Sequence, residues 1–380
     1  MIELRARKHF PSFAIDAEIV IEPEESGIVA LFGKSGCGKT SIINMIAGLL
    51  RPDAGKVAID GRVLFDSAAG VDIPPYRRDV GYVFQDARLF PHMTVKSNLL
   101  YGAGRQSETR FDLGQITDLL DIGHLLTRRP GELSGGEKQR VSIGRTILSN
   151  PRILLMDEPL ASLDGARKAE ILPFIQRLRD ELGLPIIYVS HSIEEVVRLA
   201  DVMVLIDDGR VAASGDVGDI TSRLDLYPLT GRYEAGSVLA ATVKDQDADY
   251  GLTVLDTPGG DIRVPQLSLP PGQSLRLRIR ARDVALAIER PTGTSFQNIL
   301  SGTVREIGER IHTRSDAAAD AMVEVSVDIG APLRVRITRK SLDELGLRTG
   351  SLVYALIKAV AIDKHTLGRG AGSEHAARYS

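Results

Sequence analysis

The chain has a single cysteine, Cys37, no tryptophan, and only 5% aromatic residues in 380. One thiol cannot build an internal disulfide framework, so packing must hold the fold, which suits a reducing compartment. No apolar run approaches the roughly 20 residues of a membrane-spanning helix. A role at a membrane would therefore need a partner that spans it. The opening Met1-Ile2-Glu3-Leu4-Arg5 carries mixed charge and does not read as a secretory leader. Net charge is only −3, and no basic stripe is interleaved with aromatics, which argues against nucleic acid as a partner. What the chain does have is 43% hydrophobic residues, mostly in short blocks, and length enough for two or three domains.

The most informative stretch is Gly33-Lys34-Ser35-Gly36-Cys37-Gly38-Lys39-Thr40, followed by Ser41. It fits the phosphate-loop template G-x-x-x-x-G-K-[ST]. Apolar Ile28–Phe32 ahead of it reads as a buried strand, and Ser41–Leu49 behind it as a helix with an apolar face. Glycines let the backbone curl until successive N–H groups face one anion, and the helix N-terminus adds a favourable dipole. Lys39 would reach the β- and γ-phosphates and Thr40 would sit on Mg²⁺. Cys37 reads as a small residue in a tight loop. A ligand-free glycine turn is the plain alternative, and the motifs that follow argue against it.

Residues 2–32 alternate as short strands, and either Phe10 or Phe13 is placed to stack on an adenine. Asp53–Val57 and Asp60–Arg62 look like hairpin turns. The strand Val80–Phe84 ends on Gln85, and the loop after it carries Leu89, Phe90 and Met93 as an exposed docking surface. The stretch from about 96 to 147 reads as mainly helical. Within it, Ser134-Gly135-Gly136-Glu137 opens a helix: Ser134 and Glu137 have capping-box spacing, and the bare N–H groups offer a second anion site. Two such devices in one chain suggest two surfaces closing on one polyphosphate. Apolar Arg152–Met156 ends in Asp157-Glu158, two carboxylates too expensive to bury as packing. Asp157 would hold Mg²⁺ and Glu158 would polarise the attacking water. The strand Pro185–Ser190 ends on His191, at the sheet edge where ligands collect, and points to a γ-phosphate contact.

Taken together, GKSGCGKT, Gln85, LSGGEKQR, ILLMDEP, SLD and His191 resemble the ATPase domain of ABC transporters over roughly residues 1–225. The resemblance implies an α/β P-loop ATPase fold with a helical subdomain. It also implies a homodimer in which each ATP lies between Lys39 of one copy and Ser134, Gly135 and Gly136 of the other. It makes Gln85 a metal ligand and γ-phosphate sensor, and gives the loop after it to a helix of an integral membrane permease. His191 would steady the transition state. The chain would then sit on the cytoplasmic face of the inner membrane, served indirectly by a periplasmic substrate-binding protein.

From about Gly236 the pattern changes to short alternating strands separated by turns, as in all-β OB-like barrels. The expected division is 1–231 for the ATPase domain, 232–364 for the barrel domain and 365–380 for a polar tail without structure. An appended barrel is similar to the regulatory end of bacterial importer ATPases. Val80–His92 and Thr294–Val304 resemble the molybdate-importing group, the latter its small oxyanion-binding domain. Where that group often has arginine, this chain has Gln297. Ser295, Asn298 and Lys340 are the candidate donors to molybdate or tungstate, with a strand cap and turn as the alternative for Ser295 and Asn298. The readings in competition are a molybdate importer's ATPase, the same machine with another cargo such as sulfate, phosphate, iron or a sugar, and a cytoplasmic oxyanion store or sensor.

Overall fold

Alternation at period two in Phe13–Ile21 buries Ile15, Ala17, Ile19 and Ile21 and leaves the residues between them in solvent. This strand pairs antiparallel with Ile2–Phe10 and begins a five-stranded sheet completed by Ala54–Ile59, Arg62–Asp66 and Val71–Asp72. The segments Ile28–Phe32, Ile153–Asp157, Ile186–Ser190 and Val202–Asp207, near-continuous apolar runs three of which end on a polar residue, behave differently. Apart from the half-buried Asp157 and Asp207 they are buried on both faces, and they belong to a six-stranded sheet. Its order is Arg210–Asp216, Val202–Asp207, Ile28–Phe32, Ile186–Ser190, Ile153–Asp157, Val80–Val83, and the last five run parallel. One apolar core joins the two sheets to the buried face of helix Lys39–Ala47, through Ile42, Ile43, Met45 and Ile46.

The computed structural model describes residues 1–21, 27–103, 110–226, 229, 236–308, 321–359 and 367–369. Among them no helix is long and apolar enough to cross a membrane. The chain divides into two compact units, Met1–Gly215 and Asp216–Ser380, earlier than the boundary expected after 231. The reason is helix Val217–Ser222, which packs on strand Gly236–Asp247 and whose Thr221 carbonyl accepts from Arg334 Nη1 at 3.2 Å. Asp53–Val57 is also not a hairpin turn. Ala54–Val57 lies within a strand paired with Arg5–Arg7 and its neighbours, and a Cβ on Gly55 would come 1.9 Å from the Arg5 carbonyl oxygen. Glycine is there for close approach rather than for a reversal.

In the second unit two five-stranded antiparallel sheets share one apolar core. The first runs in the order Gly260–Pro265, Leu252–Thr257, Gly236–Asp247, Ser274–Arg280, Leu367–Arg369. The second runs Val284–Ala287, Leu352–Ile357, Asn298–Ile307, Met322–Asp328, Pro332–Thr338. The expected structureless tail contributes an edge strand, since residues 367–369 pair with Leu275–Leu277. The rest of that stretch, 365–366 and 370–380, lies outside the described residues.

Candidate nucleotide site

Parallel strands deliver their following residues to one edge of the sheet. Here that edge receives the glycine loop after Phe32, Glu158 after Asp157, His191 after Ser190 and, two residues beyond Val83, Gln85. The loop turns through Gly36 at φ 83° and Gly38 at φ 107°, a left-handed backbone that favours glycine, and Gly38 caps the helix that begins at Lys39. Lys34, Ser35 and Gly36 are exposed, Cys37 is buried, and a Cβ on Gly36 would meet nothing within 4 Å. Burial pushes the Cys37 thiol up, which suits its reading as a small packing residue.

Lys39 is 4% exposed, and its ammonium donates to the carbonyls of Gly33 and Lys34 at 2.8 Å each. Among the described residues no carboxylate pairs with it. The one further contact of its ammonium among them is Cys37 Sγ at 3.9 Å, and a buried cation with only neutral partners is costly until an anion joins it. The exposed loop Lys34–Gly36 beside it leaves room for one. On the same helix Thr40 Oγ1 donates to Asp157 Oδ1 at 2.9 Å, so the two expected metal ligands are already together. Burial pushes the Asp157 carboxyl up, opposed by its hydrogen bonds from Thr40 and Tyr82 and reinforced by the Glu158 charge. An incoming hard cation would relieve that cost, and hydroxyl and carboxylate oxygens are the donor set magnesium takes. No group of three His, Cys, Asp or Glu side chains stands ready for a metal among the described residues. The remaining ligands would come from phosphate and water.

Glu158 adopts φ 44°, an uncommon backbone for a non-glycine residue, as the strand turns sharply away from the sheet. Its Oε2 lies 3.1 Å from His191 Nδ1, joining the two residues expected to act on water and γ-phosphate. Gln85 is exposed at the same edge and makes no hydrogen bond among the described residues. The Phe10 and Phe13 rings stack at 6.0 Å across the hairpin, and Phe13 comes nearer the loop: a Cβ on Gly38 would lie 3.1 Å from its Cζ. Ser41 is half-buried in the helix start.

The Ser134 capping box forms. Ser134 Oγ accepts from the Glu137 N–H at 3.3 Å, and Glu137 accepts from the Ser134 N–H at 2.7 Å. Gly135 and Gly136 occupy the first helical positions, where a side chain on Gly135 would crowd Leu163 at 3.1 Å. No hydrogen bond or ion pair joins Ser134–Gly136 to Gly33–Thr40 among the described residues. The loop after Gln85 is less exposed than expected. Leu89, Phe90 and Met93 are half-buried, with Phe90 packed on Tyr101 at 4.3 Å and beneath the Arg145 guanidinium.

The oxyanion candidates do not converge. Asn298 is fully buried and its amide is consumed by the Arg263 backbone, accepting from N–H at 2.7 Å and donating to C=O at 2.9 Å. It bridges strands as a backbone mimic, and its complete burial keeps the amide away from any anion in solvent. The Lys340 side chain is 82% exposed and lies 3.6 Å from Glu344; Ser295 is exposed too.

Several groups at the site were not legible as such. Tyr82 places its hydroxyl 3.1 Å from Asp157 Oδ2 and 2.9 Å from Asn44 Oδ1. Arg78, 3% exposed, donates to the Met45 and Ile46 carbonyls at 2.9 Å and so caps the phosphate-loop helix at its far end. Glu195, behind His191, accepts from Tyr188, Ser190 and Lys168. Asn44 follows Thr40 by one helical turn, and Lys168 pairs with Glu195 from a different helix, a contact that sequence spacing does not reveal.

Residues 18–161 match the family model described as ABC transporter, and residues 294–363 the one described as TOBE domain. A protein of Mesorhizobium japonicum described as molybdenum import ATP-binding protein ModC is 51% identical over 362 residues, 94% of this chain and 95% of its own. One of the same description from Rhodospirillum rubrum is 50% identical over 344 residues, 88% of this chain and 91% of its own. Among solved structures, cbiO1 from Clostridium perfringens, described as part of the ABC transporter complex cbiONQ, is similar over 59% of this chain and 92% of its own. Its TM-score is 0.49 and its identity 23%.

Proposed function

The chain belongs to the ABC transporter ATP-binding family, and from that membership and the site geometry we propose that it is the ATP-hydrolysing subunit of a molybdate importer. The observation that carries the chemistry is the meeting, at one sheet edge, of a buried Lys39 that makes no ion pair among the described residues, the Thr40–Asp157 pair and the Glu158–His191 pair. Triphosphate would draw the Lys39 ammonium from its own loop carbonyls onto the β- and γ-oxygens. Thr40 and Asp157 would hold magnesium, whose charge offsets that of the phosphates. Glu158 would take a proton from water as its oxygen bonds the γ-phosphorus and the bond to the β-phosphate oxygen breaks. His191, held against Glu158, would donate to the γ-phosphoryl group, and Gln85 would report its presence to the loop beyond.

Ser134 and the N–H groups of Gly135 and Gly136 complete the site in this reading from a second copy of the chain, so that binding closes the dimer and hydrolysis lets it part. The adenine would rest on the Phe10–Phe13 hairpin. The permease would dock on the loop after Gln85 and hold the subunit at the cytoplasmic face of the membrane. Support for the cargo is the identity of about half of all positions across both units to molybdenum import proteins. Ser295 and Lys340 are the donors left for oxyanion on the second unit, and calorimetry of the full chain with molybdate tests them.

The test of function is ATP hydrolysis by the complex reconstituted with its permease and binding protein, with molybdate, tungstate, sulfate and phosphate offered in turn. Stimulation by molybdate above sulfate and phosphate is expected. Stimulation by sulfate or phosphate with none by molybdate would overturn the cargo and leave the ATPase reading standing.

A further inference from the structure

Asp157 stands at the end of a strand whose four preceding residues are completely buried, so its carboxylate leaves an apolar wall with little to fix its rotation except hydrogen bonds. It has two. Thr40 donates to Oδ1 at 2.9 Å, and the Tyr82 hydroxyl lies 3.1 Å from Oδ2. Tyr82 sits on the neighbouring parallel strand level with Leu155, and its ring packs at 4.3 Å on Phe84, which itself lies beneath the Arg88 guanidinium. The ring is therefore held in place independently of Asp157. Asn44 Oδ1, one helical turn past Thr40, lies 2.9 Å from the same hydroxyl, so two acceptors share its one proton and the charged carboxylate is the stronger of them.

A bound cation would take a lone pair of Thr40 Oγ1, whose proton can stay on Asp157 Oδ1. That leaves Tyr82 as the group that fixes the other carboxylate oxygen. We propose that Tyr82 is a positioning residue for the metal site: it holds Asp157 Oδ2 so that Oδ1 faces magnesium or one of its waters. Partners one shell behind a metal ligand typically change affinity by about 10–100-fold when removed. The proposal rests on the reading of Asp157 as a metal ligand.

Tyr82→Phe keeps the ring and its packing and deletes only the hydroxyl. The experiment uses the full chain carrying Glu158→Gln, to suppress turnover, and titrates a fluorescent ATP analogue in EDTA and then at a series of free Mg²⁺ concentrations. Adding Tyr82→Phe is expected to leave nucleotide affinity in EDTA within about twofold and to raise the Mg²⁺ needed for half-maximal tightening about tenfold, with excess Mg²⁺ restoring the tight state. A residue of merely structural importance would weaken binding in EDTA as well, and that result would overturn the proposal. An Mg²⁺ requirement unchanged by Tyr82→Phe but raised by Asp157→Asn would overturn it while sparing Asp157. A requirement unmoved by either substitution would overturn both.

Discussion

Replacing Glu195 by leucine removes one buried acceptor from three donors at once. Its side chain is 7% exposed, and it accepts from the Tyr188 and Ser190 hydroxyls at 2.9 and 2.8 Å and from Lys168 Nζ at 2.9 Å. Each stranded hydroxyl costs about 1 kcal/mol, at the low end of the usual range because both can rotate. Stranding one member of a fully buried ion pair costs about 3–5 kcal/mol, but the Lys168 side chain keeps 26% of its surface in water, so about 2 kcal/mol is the better figure. The loss comes to about 4 kcal/mol, and at about 2–4 °C per kcal/mol for a unit of this size the melting temperature should fall by about 10 °C. Glu195→Gln preserves an acceptor for both hydroxyls and should lose no more than about half of that; adding Lys168→Met should recover part of it. Calorimetry of the full chain reads the first unit's transition in all three variants. A functional effect should accompany the thermal one, because Ser190 Oγ also accepts from the Ser192 N–H at 3.0 Å and so shapes the turn that carries His191. Should Glu195→Leu melt within about 2 °C of the parent, the carboxylate is not what holds these groups and the reasoning fails.

Glu158→Gln should keep nucleotide binding and lower turnover by about two orders of magnitude or more, since the amide preserves contact with His191 but cannot accept the water's proton; phosphate release beside equilibrium binding checks it, and near-normal turnover would remove Glu158 from that role. Asp53 is held at about 2 by hydrogen bonds from Lys8 and the His9 N–H. A carboxyl depressed by folding adds stability that is complete above its ordinary value and vanishes as pH falls through the depressed one. The melting gap between parent and Asp53→Asn should therefore be widest at neutral pH and close between about pH 4 and pH 2, and a gap independent of pH would contradict the assignment.

Much of the site could be read from the sequence because it is built from residues whose chemistry is expensive elsewhere. A carboxylate pair closing an apolar strand, or a lysine after a run of glycines, has few cheap uses. Residues with cheap uses were harder. Tyr82 inside a strand is indistinguishable from ordinary β propensity until Asp157 is seen beside it. Gly55 reads as a turn signal because the sequence does not reveal the Arg5 carbonyl it must clear. Asn298 has the donors an oxyanion wants, yet it is buried and spends its oxygen and one N–H on the Arg263 backbone. The buried Arg334, which donates to Glu324 at 2.9 Å, sits in an alternating strand whose pattern sends every second residue toward water.

The central claim is that each triphosphate is gripped by Lys39 of one copy and Ser134 of another. Copies carrying Lys39→Ala and copies carrying Ser134→Arg should each be inactive alone, since every site in either homodimer is damaged. Mixed, they should regain ATP hydrolysis, because half the sites in a mixed dimer pair an intact Lys39 with an intact Ser134. A mixture no more active than its two components would mean that both residues serve the same nucleotide from a single chain, and the account would be wrong.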